Sequence, residues 1–107
     1  MNKEDRDKRD EYLKGIVLNL PESPGCYQYL DDKGVIIYVG KAKNLKRRVS
    51  SYFNKEQLSL KTKLLVTKIA DIKYVVVNSE ADALLLKNNL TKQHKPRYNV
   101  LLKDDKT

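Results

Sequence analysis

Two apolar runs, residues 26–30 and 35–39, flank the tetrapeptide Asp31-Asp32-Lys33-Gly34. Asp and Gly at those places suit a tight β-turn, so the runs are predicted to form an antiparallel hairpin. With Asp31 opposite Gly34, every cross-strand pair is then determined: Leu30 meets Val35, Tyr27 meets Tyr38 and Gly25 meets Gly40. Two tyrosines become neighbours on one face. Each has a glycine two residues toward the open end of the hairpin, where bare backbone admits a ligand. The second run, Val35-Ile36-Ile37-Tyr38-Val39, is almost uninterruptedly apolar and reads as a central strand.

The hairpin needs cover, and the rest of the chain supplies helices. Residues 3–18 are helix-compatible and charge-rich, with Tyr12, Leu13, Ile16, Val17 and Leu20 gathered toward the end before Pro21 and Pro24. Asn44 is a good N-cap for a helix with Leu45, Val49, Tyr52 and Phe53 at helical spacing. A second helix is predicted over residues 59–70, with Leu60, Leu64, Leu65 and Ile69 inward. Residues 72–77 are rich in β-branched types and read as a third strand. Ser79 caps a further helix running to about Gln93, with Asp82 completing a loose capping box. Residues 96–100 are expected to be extended. The order helix, hairpin, helix, helix, strand, helix predicts a small α/β layer fold with an antiparallel sheet.

The chain of 107 residues is long enough for one modest core. A net charge of +8 points to a polyanionic partner, nucleic acid first. The single cysteine, Cys26, excludes an internal disulfide and fits a reducing cytoplasm, and mid-strand it reads as a small buried hydrophobe. One histidine and one cysteine argue against structural zinc. No apolar stretch reaches the roughly twenty residues that span a bilayer, so no membrane role is expected. The start is mixed in charge, unlike a signal peptide. The closing run, residues 103–107, carries no capping or turn logic, as in a domain cut from a longer protein.

Chemistry concentrates just after the second hairpin strand. Lys41, Lys43, Lys46, Arg47 and Arg48 follow Gly40 and overlap a helix start, an arrangement that favours an anion, and a phosphodiester above all. Lys43, Lys46 and Arg47 fall on the solvent side, where they either solubilise the helix or touch a DNA backbone. Arg48 flanks the apolar stripe one turn before Tyr52, which places its guanidinium beside the tyrosines, able to clamp a phosphate bidentately. A tyrosine acts as base only if its pKa falls well below about ten, and neighbouring cations are expected to favour the phenolate.

Gly25-Cys26-Tyr27 and Tyr38-Val39-Gly40 resemble the paired signature of the GIY-YIG nuclease superfamily. The longer strings Pro24-Gly25-Cys26-Tyr27, Tyr38-Val39-Gly40-Lys41-Ala42-Lys43-Asn44-Leu45, Arg47-Arg48 and Lys95-Pro96-Arg97-Tyr98-Asn99-Val100 resemble, within it, the N-terminal domains of bacterial UvrC excision-repair subunits. The resemblance covers nearly everything from about Leu18 onward. It implies a three-stranded antiparallel sheet flanked by helices, with residues 1–20 as a helical lead-in and 21–107 as the nuclease domain. It also implies a metal-dependent endonuclease that incises damaged double-stranded DNA 3′ to the lesion, in the cytoplasm, with a UvrB-type partner for the full-length protein and a monomeric isolated domain. Tyr38 would be the general base or otherwise activate the water, and Tyr27 would orient it. Arg48 would stabilise charge on the scissile phosphate, with Lys41 and Tyr52 in support, and Asn99 would hold the site together. One Mg2+, or Mn2+, would stabilise the leaving group.

One position departs from that pattern. The family's metal ligand is a glutamate in a Leu-Leu-Leu-Glu context, twelve residues before the asparagine, and here Lys87 stands there. An ammonium cannot bind magnesium, which takes oxygen ligands. Glu80 is displaced by two helical turns, roughly 10 Å, while Asp71 and Asp82 remain as other carboxylates. Three readings follow: an impaired nuclease, a nuclease with a relocated ligand, or a module that only binds DNA through its basic surface.

Overall fold

Side-chain caps start four of the helices. In the computed structural model, which describes residues 2–54 and 58–102, the chain runs α1 (Lys3–Leu18), β1 (Gly25–Leu30), β2 (Ile36–Ala42), α2 (Leu45–Phe53), α3 (Leu60–Lys68), β3 (Asp71–Val76), α4 (Glu80–His94) and α5 (Arg97–Leu101). Asn2, Asn44, Ser59 and Ser79 each accept a hydrogen bond from the backbone N–H three residues on, satisfying a donor that the first turn leaves open. The charged run at 103–107 lies outside the described residues.

The C-terminal stretch corrects the expectation of an extended segment at 96–100. α4 stops at Lys95, which takes a left-handed conformation (φ 47°), and Pro96 then serves as the N-cap of α5. Proline has no N–H to lose at a helix start and its φ is already set for one, so Lys-Pro begins a helix here.

The sheet has order β2-β1-β3, antiparallel throughout. β1 is therefore central and β2 is an edge, against the sequence expectation. Its apolar run reports cover rather than position: α4 and α5 both pack on β2. Asn99 of α5 closes the free edge, its Oδ1 accepting from Val39 N at 2.8 Å and its Nδ2 donating to Val39 O at 2.9 Å. β3, the other edge, buries Ile72 but leaves Tyr74, Val75 and Val76 exposed.

The turn forms where expected, with Gly34 at φ 79°, a conformation that favours glycine, and Asp31 Oδ1 accepting from Lys33 N and Val35 N. The register differs. Asp31 N donates to Val35 O, so the loop holds three residues, and a bulge between Tyr29 and Leu30 leaves Ile37 unpaired. Tyr27 consequently opposes Gly40, Tyr29 opposes Tyr38 and Gly25 opposes Ala42. The slip totals two residues, one full side-chain period, so every tyrosine keeps its expected face.

That face carries the core. Tyr27, Tyr29 and Ile72 pack with Leu45, Val49 and Tyr52 of α2, Leu65 of α3, Ile69, Leu20 and Leu13 of α1. α3 turns only Leu65 inward along its length; Leu60 and Leu64, expected inside, are exposed at 83% and 50%. Cys26 is fully buried as a free thiol on the opposite face, where α4 covers the sheet with Ala83.

Candidate active site

Four tyrosines converge from three elements: Tyr27 and Tyr29 on β1, Tyr38 on β2, and Tyr52 on α2. Their ring centroids lie 5.2–6.2 Å apart in tilted, edge-on and stacked pairs. The hydroxyls of Tyr27 and Tyr52 share a buried hydrogen bond of 2.8 Å. Arg48, one turn before Tyr52, crowns that pair. Its Nε donates to Tyr27 Oη and its Nη2 to Tyr52 Oη, each at 3.4 Å, and its guanidinium carbon stands 5.2 Å from the centre of the Tyr52 ring. The residue as a whole is exposed rather than inward, so the rest of its donor fork faces solvent.

Tyr29 is the residue that the sequence reading missed. It sits two positions after Tyr27 on the same strand face, a spacing that the alternation rule makes visible. It is fully buried, and its hydroxyl has no partner among the described residues.

Gly40 makes the cluster possible in a way the sequence did not suggest. A side chain there would run into the Tyr27 ring opposite, so the missing Cβ makes room for a tyrosine as well as for a ligand.

A cleft of about 570 Å³ opens beside Arg48. Tyr27, Tyr38, Gly40, Lys41, Lys43, Arg47, Arg48, Glu80 and Lys87 line it, bringing together most of the predicted site residues. Tyr52 lies behind Tyr27 as a buried support, Asn99 acts on the Val39 backbone, and Lys46 does not border the cleft. Asn44, read in the sequence only as a helix cap, and Ser51 border it as well.

Burial, not the neighbouring cation, governs the phenols. Desolvation pushes Tyr27 up to about 12 and raises Tyr38 and Tyr52 above the ordinary tyrosine value, with Arg48 pulling the other way and losing. The expectation that cations favour a phenolate is therefore reversed: at neutral pH the cluster is a set of neutral hydroxyls that donate and accept hydrogen bonds.

Among the described residues Glu80 is the one carboxylate bordering the cleft, and its Oε2 is 3.9 Å from Lys43 Nζ. The described residues contain no cluster of three or more His, Cys, Asp or Glu that could hold a metal ion. Against that one acid stand Lys41, Lys43, Arg47, Arg48 and Lys87, a set suited to an anion and unsuited to magnesium.

The same sequence pattern and fold occur in known proteins. Residues 23–100 match the UvrC-like GIY-YIG domain. UvrABC system protein C of Bacteroides thetaiotaomicron is 70% identical over 107 residues, all of this chain and 18% of that protein. The Porphyromonas gingivalis protein of the same name is 66% identical over 99 residues, 92% of this chain and 16% of its own length. The chain thus spans less than a fifth of these curated relatives. A crystal structure of the GIY-YIG N-terminal endonuclease domain of UvrC from Thermotoga maritima, bound to magnesium as its catalytic divalent cation, superposes with a TM-score of 0.76 at 36% identity, covering 83% of this chain and 97% of that one. Sequence and overall fold agree, and the chain belongs to the family of UvrC-like GIY-YIG domains.

Proposed function

We propose that this chain is the N-terminal incision domain of a UvrC-type excision-repair subunit, an endonuclease module that hydrolyses a phosphodiester 3′ to a lesion in duplex DNA. The observation that carries the reading is the Tyr27–Tyr52 hydroxyl pair with Arg48 bound across it at the wall of a basic cleft. Two hydroxyls hold one edge of the guanidinium, and the free edge presents paired donors to a phosphate. Fixed donors of that kind stabilise charge as it develops on the phosphoryl oxygens.

Tyr38 occupies the cleft wall in the same ring cluster. As a neutral phenol it accepts a hydrogen bond from an attacking water, which orients the nucleophile. Lys41 and Lys43 lie along the entrance and guide the backbone, while Asn99 holds β2, and with it Tyr38, at the right height. The related domain's magnesium does not transfer to the residues present.

Lesion choice falls to partners, because no group in the cleft reads base edges. A UvrB-type subunit and the remainder of the full-length protein fit that part, and the cytoplasm is the compartment. No helix among the described residues is long and apolar enough to cross a membrane.

Nicking of damaged supercoiled plasmid in Mg2+ tests the reading. Lys87→Glu, which supplies an oxygen ligand, is expected to nick at least about 100-fold faster than the parent chain, the order set by several kcal/mol of Lewis-acid stabilisation. On that background Arg48→Lys should lose about 100-fold, since it keeps the charge and loses the fork. Unnicked plasmid with both forms, even with the UvrB-type partner present, would contradict an incision domain.

A further inference from the structure

Lys87 sits on the α4 wall of the cleft, where it is part-buried, and makes no ion pair among the described residues. Its positive charge opposes the desolvation that raises the buried Cys26 thiol. The only carboxylate at hand, Glu80, is turned toward Lys43. A cleft with five cations and one engaged acid repels Mg2+ and attracts a phosphodiester.

We infer that Lys87 is itself a phosphate contact, a resident cation in the cleft that lets this chain hold a DNA backbone without any divalent ion. The inference rests on the reading of the cleft as a phosphodiester site. It adds an ion-independent mode of binding and a second anchor in the cleft that Arg48 also lines. The two cations differ in kind. Arg48 is a planar fork fixed by two hydroxyls, whereas Lys87 is a point charge on a flexible stem, so it contributes affinity with little directional demand.

Fluorescence anisotropy of a labelled duplex over a KCl series, in EDTA and in Mg2+ at matched ionic strength, provides the test. The parent chain should bind in EDTA, and Mg2+, which competes for the phosphates, should not strengthen that binding. Lys87→Ala should lose about eightfold in affinity at 0.1 M salt and reduce the salt slope by about one, the signature of one lost phosphate contact. Lys87→Glu should bind weakly in EDTA and recover in Mg2+. Electron paramagnetic resonance of free Mn2+ gives a readout independent of DNA, with no Mn2+ taken up by the parent chain and uptake by Lys87→Glu. Thermal melts establish that each variant is folded.

An unchanged slope for Lys87→Ala alongside a reduced slope for Arg48→Ala would overturn the role of Lys87 and leave the DNA reading of the cleft intact. Unchanged slopes for both would remove that reading itself. Stoichiometric Mn2+ on the parent chain would also overturn the inference.

Discussion

The two walls of the cleft are built differently. On the α2 wall, Leu45, Val49 and Tyr52 are buried, Asn44 caps the helix, and Arg48 is fixed by hydroxyls that belong to the core itself. On the α4 wall, Ala83 is the one buried residue of a 15-residue helix, Leu84 and Leu85 are exposed, and Lys87 makes no ion pair among the described residues. Chemistry embedded in the core cannot be altered without cost to folding. Chemistry hung on the outer helix can reverse its charge while the fold stays as it is. A chain with this tyrosine–arginine face on α2 and the sheet can therefore carry a lysine on the α4 wall.

Substitutions on either side can break or sharpen this contrast. The largest effect is expected from Gly40→Ala, because the added Cβ collides with the Tyr27 ring and forces apart the hydroxyl pair behind it. Overpacking of this kind costs about 3 kcal/mol. A urea midpoint within error of the parent would show that the tyrosine face is looser than described. Asn99→Ala comes next. It removes both bonds that close the edge of β2 and leaves Val39 N–H and C=O unpaired, at about 2 kcal/mol. Hydrogen exchange at the Val39 amide should accelerate together with the loss, and protection retained there would contradict the edge role.

Tyr52→Phe should cost about 1 kcal/mol, since it deletes one buried hydroxyl and a partner of Arg48. The smallest change in stability is expected on the other wall: Lys87→Glu should stay within about 0.5 kcal/mol of the parent. If it destabilised the domain as much as Tyr52→Phe does, the two walls would not differ in the way proposed.

The same contrast explains what was legible in the sequence. Helix starts were readable because Asn44, Ser59 and Ser79 place a side-chain oxygen three residues before an open N–H. The hairpin was readable from Asp31 and Gly34, but its register was not. A three-residue loop and a bulge at Ile37 each add one residue: the loop's mark, left-handed Gly34 at its third position, was taken for part of a shorter turn, and the bulge has no residue signature of its own. Faces survived the error because the two shifts sum to one side-chain period. The position of β2 was misjudged because an apolar run records how thoroughly a strand is covered, and α4 and α5 cover this edge. Pro96 was ambiguous for a similar reason: it ends one helix and starts the next. Around the cleft, Tyr27, Tyr38 and Arg48 were placed by strand and helix spacing, whereas Lys87 was singled out only through the family resemblance. The reversal of the phenol pKa was hidden, because burial depends on how four rings pack, and Tyr29 escaped attention until the structure showed it among them.

A crystal structure of this domain with a short duplex, grown without divalent ions, tests the central claim most directly. The account predicts a backbone phosphate in the cleft with oxygens within about 3 Å of both the Arg48 guanidinium and the Lys87 ammonium. A backbone bound instead in the other basic cleft, beside Arg6, Lys33 and Arg97 near the hairpin turn, would contradict it.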